Sequence, residues 1–352
     1  MTSDWVNDAP RAETLRRKDE HLDLCLHEEV RGRDIGTGLD DYRFRHNALP
    51  ELDFSMIDTS ARFLGRRLKT PFMVSSMTGG TPRAGEINRR LAAAAQARGW
   101  AMGLGSLRAA IENADAAATF RVRTLAPDIP LVANIGAVQL NYGFDAEKCS
   151  QAIDIAEADG LVLHLNSLQE AIQTGGNTDF SGLLRQIEKV CRSLAVPVGV
   201  KEVGWGIDGT TARRLYDAGV QFIDVAGAGG TSWSQVEKLR SNDPVKKAAA
   251  ERFAQWGIPT AECIQEVRAA LPDVVLIGSG GLSDGHQASK ALALGANLAG
   301  FGRSLLEAAH DSEDKLQRVL EQAELELRIA MFGIGAADIR ALRETDRLVA
   351  AK

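Results

Sequence analysis

Residues 161–170 read LVLHLNSLQE. The first six form a strand pattern: Val162, His164 and Asn166 fall on one face, and Leu161, Leu163 and Leu165 on the other. Gln169 and Glu170 follow directly. An apolar strand whose exit gathers an imidazole, two carboxamides and a carboxylate predicts one spoke of an active site.

Seven more strand-like runs surround it: PFMVSS (71–76), WAMGLG (100–105), LVANIG (131–136), PVGVKE (197–202), VQFIDV (220–225), VVLIGS (274–279) and ANLAGF (296–301). Amphipathic stretches such as EINRRLAAAAQARG and TTARRLYDAG lie between them, with apolar residues at helical spacing. Gly99, Gly160, Gly219 and Gly295 precede the next strand, where a helix C-cap is expected. Strands and helices in alternation predict an α/β fold, a (β/α)8 TIM barrel. A doubly wound sheet is the alternative, but it would collect polar residues at a single switch point. Here nearly every strand is followed by Gly, Ser, Thr, Asn, Lys or Glu.

The predicted division is an N-terminal extension (1–70), which packs over the barrel mouth or its opposite face, the barrel (71–340) and a tail (341–352). The region from 311 onward reads as helical until a turn at FGIGA. Residues 231–258 form an insertion after strand six, long enough for a lid or substrate wall.

Composition narrows the class. A net charge of −6 argues against nonspecific nucleic-acid binding. No run approaches the roughly 18 apolar residues of a membrane span, and no signal-like segment opens the chain, so a cytoplasmic protein is expected. Cys25, Cys149, Cys191 and Cys263 are scattered without C-x-x-C spacing and are expected to be reduced thiols.

Two glycine-rich turns, Ser279-Gly280-Gly281 and Gly300-Phe301-Gly302-Arg303, follow the last two strands. In barrels these loops commonly bind phosphate through backbone N–H groups, and Arg303 adds charge. The turn Ser75-Ser76-Met77-Thr78-Gly79-Gly80-Thr81 after strand one suits the edge of a flat ring, and Asn134 offers a further contact. Lys201 ends strand five facing the mouth, where it meets an anion or forms a Schiff base; a solvated pair with Glu202 is the bland reading. Arg16, Arg17, Lys18 and His21, with Arg108, make a cationic cluster that is either a solvated face or a phosphate clamp. Glu170 suits a hard cation such as Mg2+ or, alternatively, a helix N-terminus. His164 serves a ligand or is a hydrogen-bonded core histidine.

With these residues laid out, the chain resembles the type 2 isopentenyl-diphosphate delta-isomerases over about residues 16–340. The marks are RKDEHL (17–22), SSMTGGT (75–81), MGLGSLR (102–108), ANIG (133–136), HLNSLQE (164–170), VKEVG (200–204), DVAGAGGTSW (224–233), IPTAE (258–262) and SGGL (279–282). The resemblance implies an FMN-binding barrel that interconverts isopentenyl and dimethylallyl diphosphate with reduced FMN and Mg2+. NADPH or NADH would reduce the flavin. Ser76, Met77, Thr78, Ser106, Asn134, Lys201 and Thr231 would contact FMN, and Gly280, Gly281, Gly302 and Arg303 its phosphate. Arg17, Lys18, His21, Ser106, Arg108, His164 and Asn166 would address the substrate. Gln169 would lie beside the isoprene unit as the nearest candidate for proton transfer, with His164 also in the catalytic group, and Glu170 would hold the Mg2+. A homo-oligomer, a tetramer or larger, is expected. The loop after Glu170, AIQTGGNTDF, is one glycine longer than the common form. FMN oxidases of 2-hydroxy acids, the nearest rivals, carry a His-Gly-Gly/Ala-Arg base motif, whereas GAGGTSW (227–233) has neither His nor Arg.

Overall fold

A computed structural model describes residues 8–351, with side chains from residue 16 onward. Residues 1–7 and 352, the ends of the predicted extension and tail, lie outside the described residues. Eight parallel strands close into a barrel: β1 (Phe72–Val74), β2 (Ala101–Gly103), β3 (Leu131–Gly136), β4 (Gly160–His164), β5 (Val198–Lys201), β6 (Phe222–Asp224), β7 (Val275–Ser279) and β8 (Leu298–Phe301). Seven fall within the predicted runs, and β4 begins one residue before its run, at Gly160. The register pairs Gly136 with His164, His164 with Lys201, and Lys201 with Asp224, so the strand-end polar groups share one level.

Alternation sorts the strand side chains. Met73, Val132, Val162, Phe222 and Ile277 fill the barrel interior, while Leu161 and Leu163 pack outward in the helix-facing core. The extension covers both ends of the barrel. Its helix Asp8–His27 contributes to the mouth, and an antiparallel hairpin, Ala61–Phe63 with Arg66–Leu68, pushes Phe63 and Leu68 into the interior cluster. Phe63 meets Phe222 edge-on, with centroids 5.3 Å apart. Burying such a ring stabilises the fold by about 2–3 kcal/mol.

The glycine reading holds at Gly99, a left-handed C-cap at φ 69°, and Gly219 and Gly295 follow caps at φ 96° and 120°. It fails at Gly160. That residue begins β4, and Glu157 takes the left-handed cap position at φ 48°. A Cβ at Gly160 would stand 3.0 Å from Leu64 Cδ1, so the position is shaped by the hairpin plug rather than by a helix end.

The insertion after β6 folds as two helices, Trp233–Arg240 and Pro244–Arg252; Asp243 caps the second, accepting from the Val245 and Lys246 N–H groups. The long helix Glu313–Ile334 ends at Gly335 (φ 78°), the expected turn. Leu348–Ala350 then pairs antiparallel with Tyr42–Phe44. All four cysteines are free thiols. Among the described residues no helix is long and apolar enough to cross a membrane.

Candidate active site

A cavity of about 520 Å3 opens at the carboxyl ends of the strands. The residues expected from the sequence converge on it. Arg17, Lys18 and His21 come from the N-terminal helix; Ser76, Met77 and Thr78 from the loop after β1; Ser106 and Arg108 from that after β2. His164, Asn166, Gln169 and Glu170 supply the β4 side, Lys201 comes from the adjacent end of β5, Thr231 from the turn after β6, and Gly280, Gly281, Gly302 and Arg303 from the glycine turns. Two residues stand apart. Arg16 is exposed and pairs with Glu20. Asn134 lies behind the wall, its Oδ1 accepting from His164 Nδ1 at 2.7 Å.

That bond orients the imidazole, leaving Nε2 as the second ring nitrogen, beside Gly136. Burial, then the nearby charges of Lys201 and Lys18, push the His164 pKa down to about 3, so the ring is neutral at pH 7.

Glu170 lies in the first turn of the short helix Ser167–Ile172 and is buried. Its Oε1 accepts from Asn166 Nδ2 at 2.9 Å, and its Oε2 from the Asn177 N–H at 2.6 Å and Gln173 Nε2 at 3.4 Å. In the lengthened loop, a Cβ at Gly176 would stand 2.0 Å from the Glu170 carbonyl oxygen, whereas Gly175 faces open space at φ 72°. Gly176 is therefore the glycine the packing needs. Among the described residues no group of three or more His, Cys, Asp or Glu is arranged to hold a metal. The Asn166 Oδ1 beside Glu170 is buried without a partner.

The cationic cluster is built rather than solvated. Lys18 Nζ donates to the Gly79 and Ser106 carbonyls at 2.7 and 3.3 Å. Burial and the adjacent Arg17 lower its pKa to about 7. Arg17 is also lowered, by burial and by Arg240 and Arg108. Lys201 is buried, with Nζ donating to the Glu202 carbonyl, which removes the reading of a solvated pair.

Sequence reasoning missed Glu237, Arg240 and Trp233. Glu237 Oε1 lies 2.9 Å from His21 Nε2 and 3.3 Å from Gln169 Nε2, while Arg240 bonds Oε2 at 2.9 Å. Burial pushes the Glu237 carboxyl up, but His21, Arg240 and Gln169 together hold it below the ordinary value. Trp233 stands edge-on to His21, with centroids 5.1 Å apart. The signal available was a buried-face carboxylate in WSQVEKLR one helical turn after Trp233.

The glycine turns form a cradle. Gly280 and Gly281 have φ of 108° and 78°, and any Cβ there would collide with Gly227 or Gly229. Gly302 has open space at its Cβ position and precedes the helix Arg303–Asp311, whose first turn has no side-chain cap. Unpaired N–H groups at a helix start beside Arg303 suit a phosphate. Ser75 Oγ, on the same wall, is buried without a partner. These features fit a flavin mononucleotide.

The family described as FMN-dependent dehydrogenase matches residues 13–160 and 163–349. An isopentenyl-diphosphate delta-isomerase of Oceanobacillus iheyensis is 55% identical over 333 residues, covering 95% of each chain. One of Nostoc sp. is 50% identical over 337 residues, covering 96% of each. A mandelate oxidase variant solved with a monooxide FMN adduct has a TM-score of 0.65 at 20% identity, covering 97% of this chain and 99% of its own. That last likeness is one of fold.

Proposed function

The chain belongs to the FMN-dependent dehydrogenase family and, within it, to the isopentenyl-diphosphate delta-isomerases, and from that premise we propose how its residues carry the reaction. The enzyme is an isomerase that interconverts isopentenyl and dimethylallyl diphosphate, and it uses FMN. Gly280, Gly281, Gly302 and Arg303 hold the FMN phosphate; Ser76, Met77, Thr78, Ser106, Lys201 and Thr231 contact the flavin, and Asn134 acts on that side through His164. Reduced FMN, when bound, supplies acid–base chemistry at its ring, and NADPH or NADH serves to reduce it.

The substrate lies between the cation cluster and the end of β4. Arg17, Lys18, His21 and Arg108 clamp the diphosphate, with Ser106, His164 and Asn166 completing its contacts. Glu170 would hold a Mg2+, which would offset negative charge on the diphosphate. The unpartnered Asn166 Oδ1 beside it supports a further polar ligand there. Gln169 lies along the isoprene unit, and Glu237 Oε1, hydrogen-bonded to its Nε2, takes or returns a proton on the protein side. Leu22, Met77, Trp233 and Leu306 in the wall exclude water, which would capture positive charge developing on the alkene.

The observation that carries this reading is that the glycine cradle, the cation cluster and the β4 polar groups all line one cavity. The turn at 227–233, without His or Arg, offers no base for hydroxy-acid oxidation. We further propose a cytoplasmic homo-oligomer, a tetramer or larger, built on the division 1–70, 71–340 and 341–352. The test is isomerisation of isopentenyl diphosphate by purified protein under anaerobic conditions, with flavin oxidised or reduced and with Mg2+ present or chelated. Turnover that needs both reduced flavin and Mg2+ is expected; turnover by apoprotein with Mg2+ alone would overturn the reading.

A further inference from the structure

Glu202 follows the last residue of β5 and does not line the cavity, yet its carboxylate is buried. Its Oε2 accepts from four successive backbone N–H groups: Val203 at 2.6 Å, Gly204 at 2.7 Å, Trp205 at 2.6 Å and Gly206 at 3.3 Å. Such a nest converges donors on one anion. The carbonyl of the same residue accepts from Lys201 Nζ. One residue thus fixes the fold of the loop and the direction of the ammonium.

That loop reaches the flavin side. Val203 and Gly204 line the cavity, and Gly204, at φ 146°, sits so close to the Thr231 carbonyl that a Cβ would stand 2.6 Å from its oxygen. Lys201 and Thr231 are two of the residues proposed above to contact FMN. A carboxamide in place of Glu202 would offer these four donors one neutral oxygen, a weaker acceptor than a carboxylate, and would put an N–H2 where Oε1 stands. An alanine would leave all four N–H groups unpaired.

We propose that Glu202 is a positioning residue for the flavin wall: its carboxylate folds 203–206 into a nest and so sets both Lys201 Nζ and the Gly204–Thr231 contact. This rests on the reading that Lys201 and Thr231 meet FMN.

Two variants test it, Glu202→Gln and Gly204→Ala; the second disturbs the loop without changing charge. Amide hydrogen exchange at 203–206 is measured in apoprotein and holoenzyme, together with FMN affinity, the flavin midpoint potential and the kcat and KM of isomerisation. In both variants exchange at these amides rises by roughly tenfold or more, FMN affinity falls by a similar factor, the potential shifts, and kcat falls more than KM rises. Unchanged exchange in Glu202→Gln overturns the proposal. So does a flavin change in Glu202→Gln with none in Gly204→Ala, which would make the effect one of charge. Lys201→Ala separates the premise: normal flavin affinity and potential in that variant would remove the Lys201 reading itself. An effect of Lys201→Ala with no flavin effect of Glu202→Gln removes only the role given to Glu202.

Discussion

His21 Nε2 lies 2.9 Å from Glu237 Oε1, joining the N-terminal helix to the first helix after β6 across the cavity mouth. A second link runs beside it, from Arg240 to Glu20 at 2.9 Å. The position of the extension and the ionisation of Glu237 are therefore coupled. Glu237 stays charged because His21 and Arg240 reach it, and His21 is held because Glu237 is charged.

Glu237→Gln removes that charge while keeping the shape. The expected outcome is a fall in kcat of about 10²-fold, the lower end of acid–base contributions, with FMN content unchanged. Steady-state isomerisation with reduced enzyme and the visible flavin spectrum check both halves. A variant with wild-type kcat would remove Glu237 from proton transfer.

Lys18 gives a pH signature. Its pKa is lowered to about 7, so the ammonium that attracts a diphosphate is present below that pH and lost above it. The kcat/KM for isopentenyl diphosphate should decline as pH rises through about 7, because that parameter reports the free enzyme. Lys18→Arg, which stays charged, should flatten that limb of the profile. For folding the sign is opposite. A lowered folded-state pKa contributes stability that is full above the unfolded value of 10.5 and is lost as pH falls through about 7.

Glu170→Gln should lower turnover by roughly 10²-fold or more, since a bound cation offsets several kcal/mol of charge. Its flavin spectrum should match the wild type. Stimulation of the wild type by Mg2+ and its absence in the variant complete the check; unaffected turnover would remove the metal assignment.

Phe63→Ala tests the opposite end of the barrel. Phe63 is buried against Phe222 in the interior cluster, so the truncation should cost about 3–5 kcal/mol in denaturant unfolding. Activity per folded molecule should stay near wild type, since the hairpin touches none of the cavity residues named above. A large loss of kcat in fully folded variant would show that the plug and the mouth are mechanically connected.

The barrel was legible because its signal is local. Period-two apolar runs, helical stretches and polar strand ends each lie within a few neighbouring residues, and Leu161–Asn166 carries the first and the last. The glycine cradle was readable for the same reason. Glu237 was not, because its meaning lies in His21 and Gln169, far off in sequence and on other elements. Nor was the bond between His164 and Asn134, since the partner a strand-end carboxamide finds depends on the neighbouring strand. Gly160 misled for a related reason: a glycine before a strand marks a helix end or a close approach, and only the distant Leu64 tells which.

The pairing of Tyr42–Phe44 with Leu348–Ala350 closes a loop that contains the entire barrel. A chain made from its amino end can wind all eight strands while residues 42–44 still wait for their partner. Loop closure across so great a separation carries a large entropy cost, so this clasp is expected to pair after the barrel has brought its ends together. Until then the cavity has its floor and walls, but the segment that brings Arg17, Lys18 and His21 to its rim lacks one of its moorings.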